Sequence, residues 1–450
     1  MNSMQLLPYK QQVSSLLRLG LPIVVGQLGM IILGLADTIM IGHHSTEELA
    51  AAAFVNNVFN LAIIFATGFS YGLTPLIGML QGGGNTQGIG RVFRNALAAN
   101  ASVAVLLTAV MYTVYCFVDK LGQPEELLPH IRPYFVLQLI SLLFIMLFNG
   151  FRQFAEGLTD TRTPMWILLG GNALNIFGNY LLIYGSFGFP EWGLFGAGVS
   201  TLVSRIVMLL VFIGVVAVTR RYKVYREAIL RSRFNRNDFM QLNALGWPIA
   251  LQMGMETAAF SLSAIMVGWL GSIPLAAHQI MISVSTIGFM VYYGMGAAWA
   301  VRVSHFMGQK DFPNLRRAVN SGMGIILSLA IVASLFFYLA RTPIIYSFTE
   351  DHEVMVVVSS LIFSLIVYQF GDALQITFAN ALRGTTDVKP MMWIAFFSYF
   401  IVALPVGYLC GFTWGGGVVG VWVAFPAGLF TAGFLFWLRF RYRLQQLMKK

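Results

Sequence analysis

A strongly basic segment, residues 219–238, separates two long apolar halves of the chain. Its sequence is TRRYKVYREAILRSRFNRND, and only Glu227 and Asp238 oppose its basic residues. Charge at this density is excluded from the hydrocarbon core of a membrane, so we expect an aqueous linker here. The seven basic residues are Arg220, Arg221, Lys223, Arg226, Arg231, Arg233 and Arg236.

The two halves repeat each other at a constant separation of 226 residues. The pattern Leu-Gly-x-Pro-Ile at Leu19–Ile23 recurs at Leu245–Ile249, and Pro164 recurs at Pro390. Because one separation holds over about 145 residues, apolar composition alone does not explain it. An internal repeat of this size in an apolar chain is typical of membrane transporters. The predicted domains are an N-terminal lobe (1–218), a linker (219–240) and a C-terminal lobe (241–450).

The composition indicates a membrane protein. Hydrophobic residues make up 57% of the chain and charged residues only 10%, with a mean hydropathy of +0.73. Soluble domains carry about 25% charged residues. A net charge of +10 could suggest a nucleic-acid ligand, but the basic residues lie in short loops between apolar runs. That distribution is a topology signal, so we expect no nucleic-acid partner.

The apolar runs are long enough to cross a membrane, which takes about 20 residues in a helix. We therefore predict an all-α integral membrane protein with twelve transmembrane helices, six in each lobe. Because six is an even number, both lobes have the same orientation, and a pseudo-twofold axis along the membrane normal relates them. The predicted spans are roughly 16–41, 49–80, 93–118, 131–152, 164–187, 193–218, 243–268, 275–306, 318–340, 354–380, 391–412 and 417–438.

Basic and acidic residues are divided between the two sets of loops. The termini and the linker share one side with loops that carry basic residues such as Arg152, Arg317 and Arg383, and the opposite loops are mainly acidic. Because basic loops face the cytoplasm, we expect both termini and the linker to be cytoplasmic. The expected location is the inner (plasma) membrane, with the protein a multi-pass monomer surrounded by membrane lipid.

Two prolines, Pro22 and Pro248, occupy equivalent places in the first helix of each lobe. Proline removes an intrahelical hydrogen bond and kinks a helix. The sequence leaves open whether each position is a static kink or a moving hinge.

Three acidic residues lie well inside predicted spans: Asp37, Glu256 and Asp372. None has an acidic residue at the corresponding position of the other half, so each lobe has its own polar side chains. Ionisable groups in hydrocarbon cost several kcal/mol and usually mark a transport pathway. The alternative is that they pair with a structural cation, for which Arg205 is the plainly intramembrane candidate.

The N-terminal lobe carries four polar residues at similar depth in the outer half of the membrane. Counted at about 1.5 Å per residue, Asp37 is level with Asn175, Asn179 and Thr201. One carboxylate, two amide oxygens and a hydroxyl suit Na⁺, or a proton with water. The alternative for the asparagine pair is hydrogen bonding between helices.

The C-terminal lobe combines carboxylates with an amide and an aromatic ring. Gln252 lies one helical turn from Glu256, and Tyr368 lies one turn from Asp372. A carboxylate beside an aromatic ring suits a monovalent or organic cation, through charge and cation–π attraction together. Glu256, Asp372 and Tyr368 are therefore candidate residues for binding such a cation.

The chain resembles the multidrug and toxic compound extrusion (MATE) transporters of the NorM-like branch. This resemblance implies two six-helix lobes with a central cavity, and export of cationic amphipathic compounds in exchange for Na⁺ or H⁺. The segments that carry it are ADTIMIGHHSTEELAAAAF (36–54), LNIFGNYLLIYG (174–185), AAHQIMISVSTIGFM (276–290), GMGAAWAVRVSHFMGQ (294–309) and GDALQITFANALRGTTDVKP (371–390).

The resemblance also implies roles for individual residues. Asp37 matches the family's acid in the first helix, and Asn175 and Asn179 match its polar pair in the fifth. Some relatives carry an acid at the second position of that pair, so Asn179 speaks against a mechanism that uses protons alone. Glu256 and Asp372 match the acids that similar members use for the coupling cation, and Tyr368 matches an aromatic neighbour of that site. The resemblance therefore implies a coupling-ion site at Glu256 and Asp372, with Na⁺ as the candidate metal ion.

Other functions fit the sequence less well. A lipid-linked oligosaccharide flippase of the same superfamily must hold pyrophosphate, which favours a cationic cavity, whereas acids dominate these spans. A channel or receptor needs no twofold repeat with dissimilar acids. The sequence contains no GxxxxGK[ST] motif and no enzyme constellation, so we expect neither ATP-driven pumping nor catalysis. We expect no cofactor beyond the coupling ion.

Overall fold

The computed structural model describes residues 6–449, and within that range it is built from α-helices with short 3₁₀ and π-helical segments. Twelve segments of the described residues are long and apolar enough to cross a membrane, which confirms the predicted fold class. The helices are α1 (Tyr9–His44), α2 (Thr46–Ser70), α3 (Leu73–Gly82), α4 (Thr86–Cys116), α5 (Leu128–Gly157), α6 (Arg162–Ile183), α7 (Gly193–Val218), α8 (Lys223–Arg231), α9 (Arg236–Gly268), α10 (Ser272–Gln309), α11 (Phe312–Leu339), α12 (Arg341–Phe348), α13 (His352–Gly384), α14 (Lys389–Phe396), α15 (Leu404–Tyr408), α16 (Gly417–Trp422) and α17 (Ala424–Met448).

Several helices extend beyond the apolar runs that predicted them. Helices α5 and α13 continue to Gly157 and Gly384, so Arg152 and Arg383 lie inside helices rather than in loops. Their exposed fractions are only 4% and 5%, which corrects the prediction that placed both in basic loops. Arg205 is therefore not the only arginine inside the protein. Hydropathy marks the hydrocarbon-facing part of a helix, whereas these arginines are held by polar side chains inside the protein.

The internal repeat is visible in the backbone. Gly84 and Lys310, which are 226 residues apart, both adopt left-handed conformations with φ of 71° and 58°. The next residues, Asn85 and Asp311, each cap the helix that follows, α4 or α11, by accepting a backbone N–H with the side-chain oxygen. Such caps satisfy amide groups that have no partner within the helix. The same turn therefore starts the third span of each lobe.

The chain packs as two compact units. The N-unit is Val25–Ala250, and the C-unit consists of Met1–Val24 and Leu251–Lys450. The boundaries fall inside α1 and α9, two residues after Pro22 and Pro248 respectively. Because proline removes a helical hydrogen bond, these are positions where a long helix is weakest. The domain division predicted from the repeat, with the linker as its boundary, stays a prediction.

The basic linker is packed on the N-unit rather than freely suspended. Six of its seven basic side chains are exposed, and Arg226 is half-buried. The buried Tyr222 hydroxyl donates to Asp160 Oδ2 over 2.7 Å, and Arg221 forms an ion pair with the same carboxylate at 3.3 Å. Burial raises the pKa of Tyr222, so it stays a hydrogen-bond donor at neutral pH. A methyl group on Gly90 would clash with the backbone of α8, which shows how closely this helix approaches α4.

Candidate functional site

The N-unit brings together the four polar residues that the sequence placed at one depth. Asp37 is on α1, Asn175 and Asn179 are on α6, and Thr201 is on α7. Asn179 Nδ2 donates to Asp37 Oδ1 over 2.6 Å. In the amide orientation that satisfies both of its polar atoms, Asn175 donates to Asp37 Oδ1 at 3.0 Å and accepts from the Thr201 hydroxyl at 3.1 Å.

The asparagine nitrogens, not their oxygens, face the Asp37 carboxylate. Both amide donors therefore point at the same carboxylate oxygen, Asp37 Oδ1. Asn179 Oδ1 is buried and has no hydrogen-bond partner among the described residues. The cluster therefore differs from the expected oxygen cage. The Asn175 oxygen accepts from Thr201, and the Asn179 oxygen has no hydrogen-bond partner among the described residues.

Arg205 lies near this cluster but does not pair with Asp37. Its Nη1 donates to Gln138 Oε1 over 3.1 Å and also to the Ser141 hydroxyl, both on α5. Its charge acts on Asp37 without a direct ion pair between the two described side chains. Neutral oxygens thus hold the guanidinium between α5 and α7, and Asp37 is left available to another cation.

Glu256 in the C-unit is half-buried and belongs to a hydrogen-bond network. Its Oε2 accepts from Gln252 Nε2 at 2.9 Å and from Gln375 Nε2 at 3.1 Å. The other end of Gln252 accepts from Arg383 Nη2 over 2.8 Å. The predicted neighbour Gln252 therefore contacts Glu256 and also connects it to an arginine.

Asp372, by contrast, is a carboxylate without hydrogen bonds. It is 1% exposed, and neither of its oxygens has a hydrogen-bond partner among the described residues. On adjacent turns of α13, Gln369 Oε1 and Gln375 Oε1 are buried and equally unpartnered in the described part of the chain. Since buried polar atoms are normally paired, such a group of oxygens is suited to binding a cation.

These oxygens suit a monovalent ion better than a tightly bound transition metal. Within residues 6–449, no group of three or more His, Cys, Asp or Glu side chains could hold a metal ion. Asp372 offers carboxylate oxygens, and Gln369 and Gln375 on the adjacent turns of α13 offer amide oxygens, which are the ligand type that hard cations prefer. The chemistry of these oxygens therefore fits the Na⁺ predicted at Glu256 and Asp372, which stays a prediction.

Tyr368 lies one turn before Asp372, as the sequence indicated, but its ring is packed among other rings. Its exposed fraction is 5%, and it meets Phe260 and Phe425 edge-to-face at centroid distances of 6.2 and 6.4 Å. Such pairs stabilise the core by about 0.5–1.5 kcal/mol beyond area burial.

Sequence reasoning missed Gln369, Gln375 and Arg383. A usable signal existed, because residues 368, 372, 375, 379 and 383 follow the helical period and share one face of α13. Extending that face from Asp372 leads through Gln375 to Arg383. The prediction ended the helix near residue 380, and the arginine was therefore assigned to a loop.

Fold and interior together define a multi-pass membrane protein with buried carboxylates in both units. The sequence model of the MatE family matches residues 22–181 and 248–409. The two matches begin 226 residues apart, which is the separation of the internal repeat. The multidrug resistance protein NorM of Photobacterium profundum is 30% identical over 448 residues, covering 96% of each chain.

Solved structures show the same fold. The Vibrio cholerae MATE transporter VcmN, crystallised as a mutant, has a TM-score of 0.88 at 18% identity and covers 98% of this chain and 99% of its own. The eukaryotic MATE transporter AtDTX14 has a TM-score of 0.87 at 16% identity, with the same coverage. The chain therefore belongs to the MATE family, which consists of membrane transporters rather than enzymes.

Proposed function

We propose that the chain is a secondary active multidrug efflux antiporter, which exports cationic amphipathic compounds in exchange for Na⁺ or H⁺ by alternating access. The observation that carries this proposal is Asp372, a buried carboxylate whose oxygens have no hydrogen-bond partner in residues 6–449. Asp37 in the N-unit and Glu256 in the C-unit add further negative charge inside the protein. The related NorM of Photobacterium profundum is named a multidrug resistance protein, which supports the substrate class.

Exchange follows if the coupling ion and the cationic compound occupy the carboxylates in alternation. A cation stabilises whichever conformation binds it more tightly, so binding one species must release the other. Inward movement of one charge across 100 mV supplies about 2.3 kcal/mol, and a concentration gradient adds to it. No cofactor other than the coupling ion is part of the proposal.

The flippase alternative predicts a different interior. A carrier of lipid-linked pyrophosphate needs cationic groups facing its substrate. At the C-unit site, Glu256 and Asp372 contribute two carboxylates and Arg383 contributes a guanidinium, which donates to Gln252. This charge balance favours a cationic substrate.

Ethidium efflux from whole cells tests the proposal. Cells that produce the wild-type chain should accumulate less ethidium than cells with an empty vector, because the negatively charged interior suits a permeant cation. Asp372→Asn should remove the difference, whereas Glu227→Gln, at an exposed linker carboxylate, should preserve it. Equal accumulation in wild-type and empty-vector cells contradicts the proposed export.

We further propose that the protein is a monomer in the inner membrane with cytoplasmic termini. Both native cysteines, Cys116 and Cys410, are free and must be removed before topology is mapped. In that background a cysteine at exposed Arg233 should resist a membrane-impermeant thiol reagent in whole cells, because the linker's positive charge favours the cytoplasm. A cysteine at exposed Glu350, in an acidic loop, should react. The reverse pattern, with the linker cysteine labelled and the loop cysteine protected, contradicts the proposed topology.

A further inference from the structure

The basic linker has one side anchored on the N-unit. The Tyr225 hydroxyl donates to Gln81 Oε1 of α3 over 2.9 Å. The backbone oxygen of Ser232 accepts from Arg94 Nη1 of α4 over 2.6 Å. Because the buried Tyr222 hydroxyl also anchors the start of this segment, the opposite side of α8 keeps a fixed direction relative to the N-unit.

That opposite side of α8 is exposed and carries both charged and apolar residues. At 3.6 residues per turn, five exposed residues fall on one continuous side of the helix. Two of them are apolar, with exposed fractions of 59% for Val224 and 73% for Leu230. The other three are Lys223, Glu227 and Arg231. Basic and apolar residues together on the free side of a helix are typical of segments that lie in the interface of a membrane.

Positive charge and apolar surface continue on both sides of α8. Val218 before it and Phe234 after it are 81% and 60% exposed. Glu227 is the one exposed acidic residue of the basic segment, because Asp238 is buried and pairs with Arg91 at 2.6 Å. The exposed basic residues of the same segment are Arg220, Arg221, Lys223, Arg231, Arg233 and Arg236. The free side of the linker therefore complements a negatively charged surface.

A membrane surface is within reach of α8. Helix α7 is one of the candidate spans and ends at Val218, and α8 begins five residues later at Lys223. Five residues extend at most about 18 Å, and a 3₁₀ turn at Arg220–Tyr222 shortens this connection. Basic residues this close to the end of a span are attracted by anionic headgroups, whose charge acts over about 10 Å at 0.1 M salt.

We propose that the exposed side of the linker binds the headgroups of anionic phospholipids in the leaflet that it faces. The basic side chains meet the lipid phosphates, while Val224 and Leu230 enter the apolar edge of the headgroup layer. Long basic side chains suit this arrangement, because their stems cover apolar surface while their charged ends stay in water. The inference holds whichever compound the chain carries, so it goes beyond the proposed antiport.

Lipid-specific fluorescence quenching in nanodiscs tests this inference on the full-length chain. In a background without Cys116 and Cys410, Glu227→Cys places a fluorophore in the middle of the exposed side. Each nanodisc holds one copy of the chain in equal parts of phosphatidylglycerol and phosphatidylcholine. Bromine, which quenches the fluorophore at short range, is carried by the acyl chains of the first lipid in one preparation and of the second lipid in the other. Because the composition is the same, a difference in quenching reports which lipid lies beside the linker.

Phosphatidylglycerol should quench more strongly than phosphatidylcholine. This excess should disappear in 1 M salt, where the screening length falls to about 3 Å. It should also disappear in Lys223→Gln/Arg231→Gln, which removes two basic residues of the exposed side. The matched control Arg18→Gln/Lys389→Gln removes two exposed basic residues outside the linker and should keep the excess.

The apolar residues are tested separately with Val224→Ser/Leu230→Ser. This variant keeps every basic residue, and both lipids should quench it less, because α8 then lies farther from the acyl chains. Both positions are exposed, so the fold does not depend on them, and size-exclusion chromatography checks this.

Equal quenching by the two lipids overturns the proposal, because the linker then does not distinguish anionic headgroups. An excess that survives in Lys223→Gln/Arg231→Gln overturns it as well. Quenching by neither lipid also contradicts it: the exposed side then belongs to a contact between two copies if the fluorescence changes when the protein is concentrated in detergent, and to solvent if it does not. Ethidium efflux tests the antiport independently, so either proposal can fail while the other stands.

Discussion

Neutralising either carboxylate of the C-unit should reduce ion-driven efflux to the rate of protein-free vesicles. Glu256→Gln and Asp372→Asn each change the charge that a coupling ion must balance, so the gradient loses its connection to transport. The fold should survive, because each substitution exchanges a carboxylate for an amide of nearly the same shape, and an amide oxygen can still accept the hydrogen bonds that Gln252 and Gln375 donate to Glu256. The measurement is dye transport in reconstituted vesicles, with size-exclusion chromatography as the check on folding.

Two control variants test whether the loss of efflux is specific to the C-unit carboxylates. Glu350→Gln, at an exposed loop carboxylate, should transport at the wild-type rate. Asp37→Asn, run in parallel, reports on the N-unit cluster with Asn175 and Asn179. A different result would place the coupling-ion site in the N-unit: both C-unit variants transport at the wild-type rate and still need the ion gradient, while Asp37→Asn is inactive.

Breaking the buried ion pair of α5 should cause the largest loss of stability. Arg152 Nε lies 2.7 Å from Glu156 Oε1, and the two side chains are 5% and 2% exposed. Arg152→Ala leaves an uncompensated buried carboxylate, which typically costs about 3–5 kcal/mol. The expected result is a clearly lower midpoint of thermal unfolding for the purified protein in detergent.

An exposed pair in the same unit provides the matched control. Arg132 and Asp119 form an ion pair in which both side chains are 46% exposed. Because water screens such pairs, Arg132→Ala should cost at most about 1 kcal/mol. Equal losses for Arg152→Ala and Arg132→Ala contradict the assignment of the α5 pair as a structural element.

The sequence predicted the twelve spans and the carboxylates because both stand out against apolar surroundings. An acid such as Asp37 is conspicuous in a hydrophobic run, and helical rise alone placed it level with Asn175 and Thr201. The structure brings these side chains into contact. The regular rise of an α-helix was therefore enough to predict that these residues, on three separate spans, lie at the same depth.

The remaining features depend on three-dimensional partners that hydropathy does not register. Arg383 and Arg152 lower the mean hydropathy at the helix ends, so the predicted spans stop at Arg152 and before Arg383, yet Gln252 and Glu156 hold these arginines inside the protein. The direction in which the Asn179 amide points is decided by its contact with Asp37, not by its own position in the sequence.

The most direct test of the proposed antiport is dye transport into vesicles under Na⁺ and pH gradients imposed one at a time. Wild-type protein should move a cationic dye against its concentration gradient only while a Na⁺ or H⁺ gradient of opposite direction is present, and collapsing that gradient should stop transport. Dye movement that is unaffected by either gradient, or its complete absence, contradicts the proposal that this chain is a cation-coupled exporter.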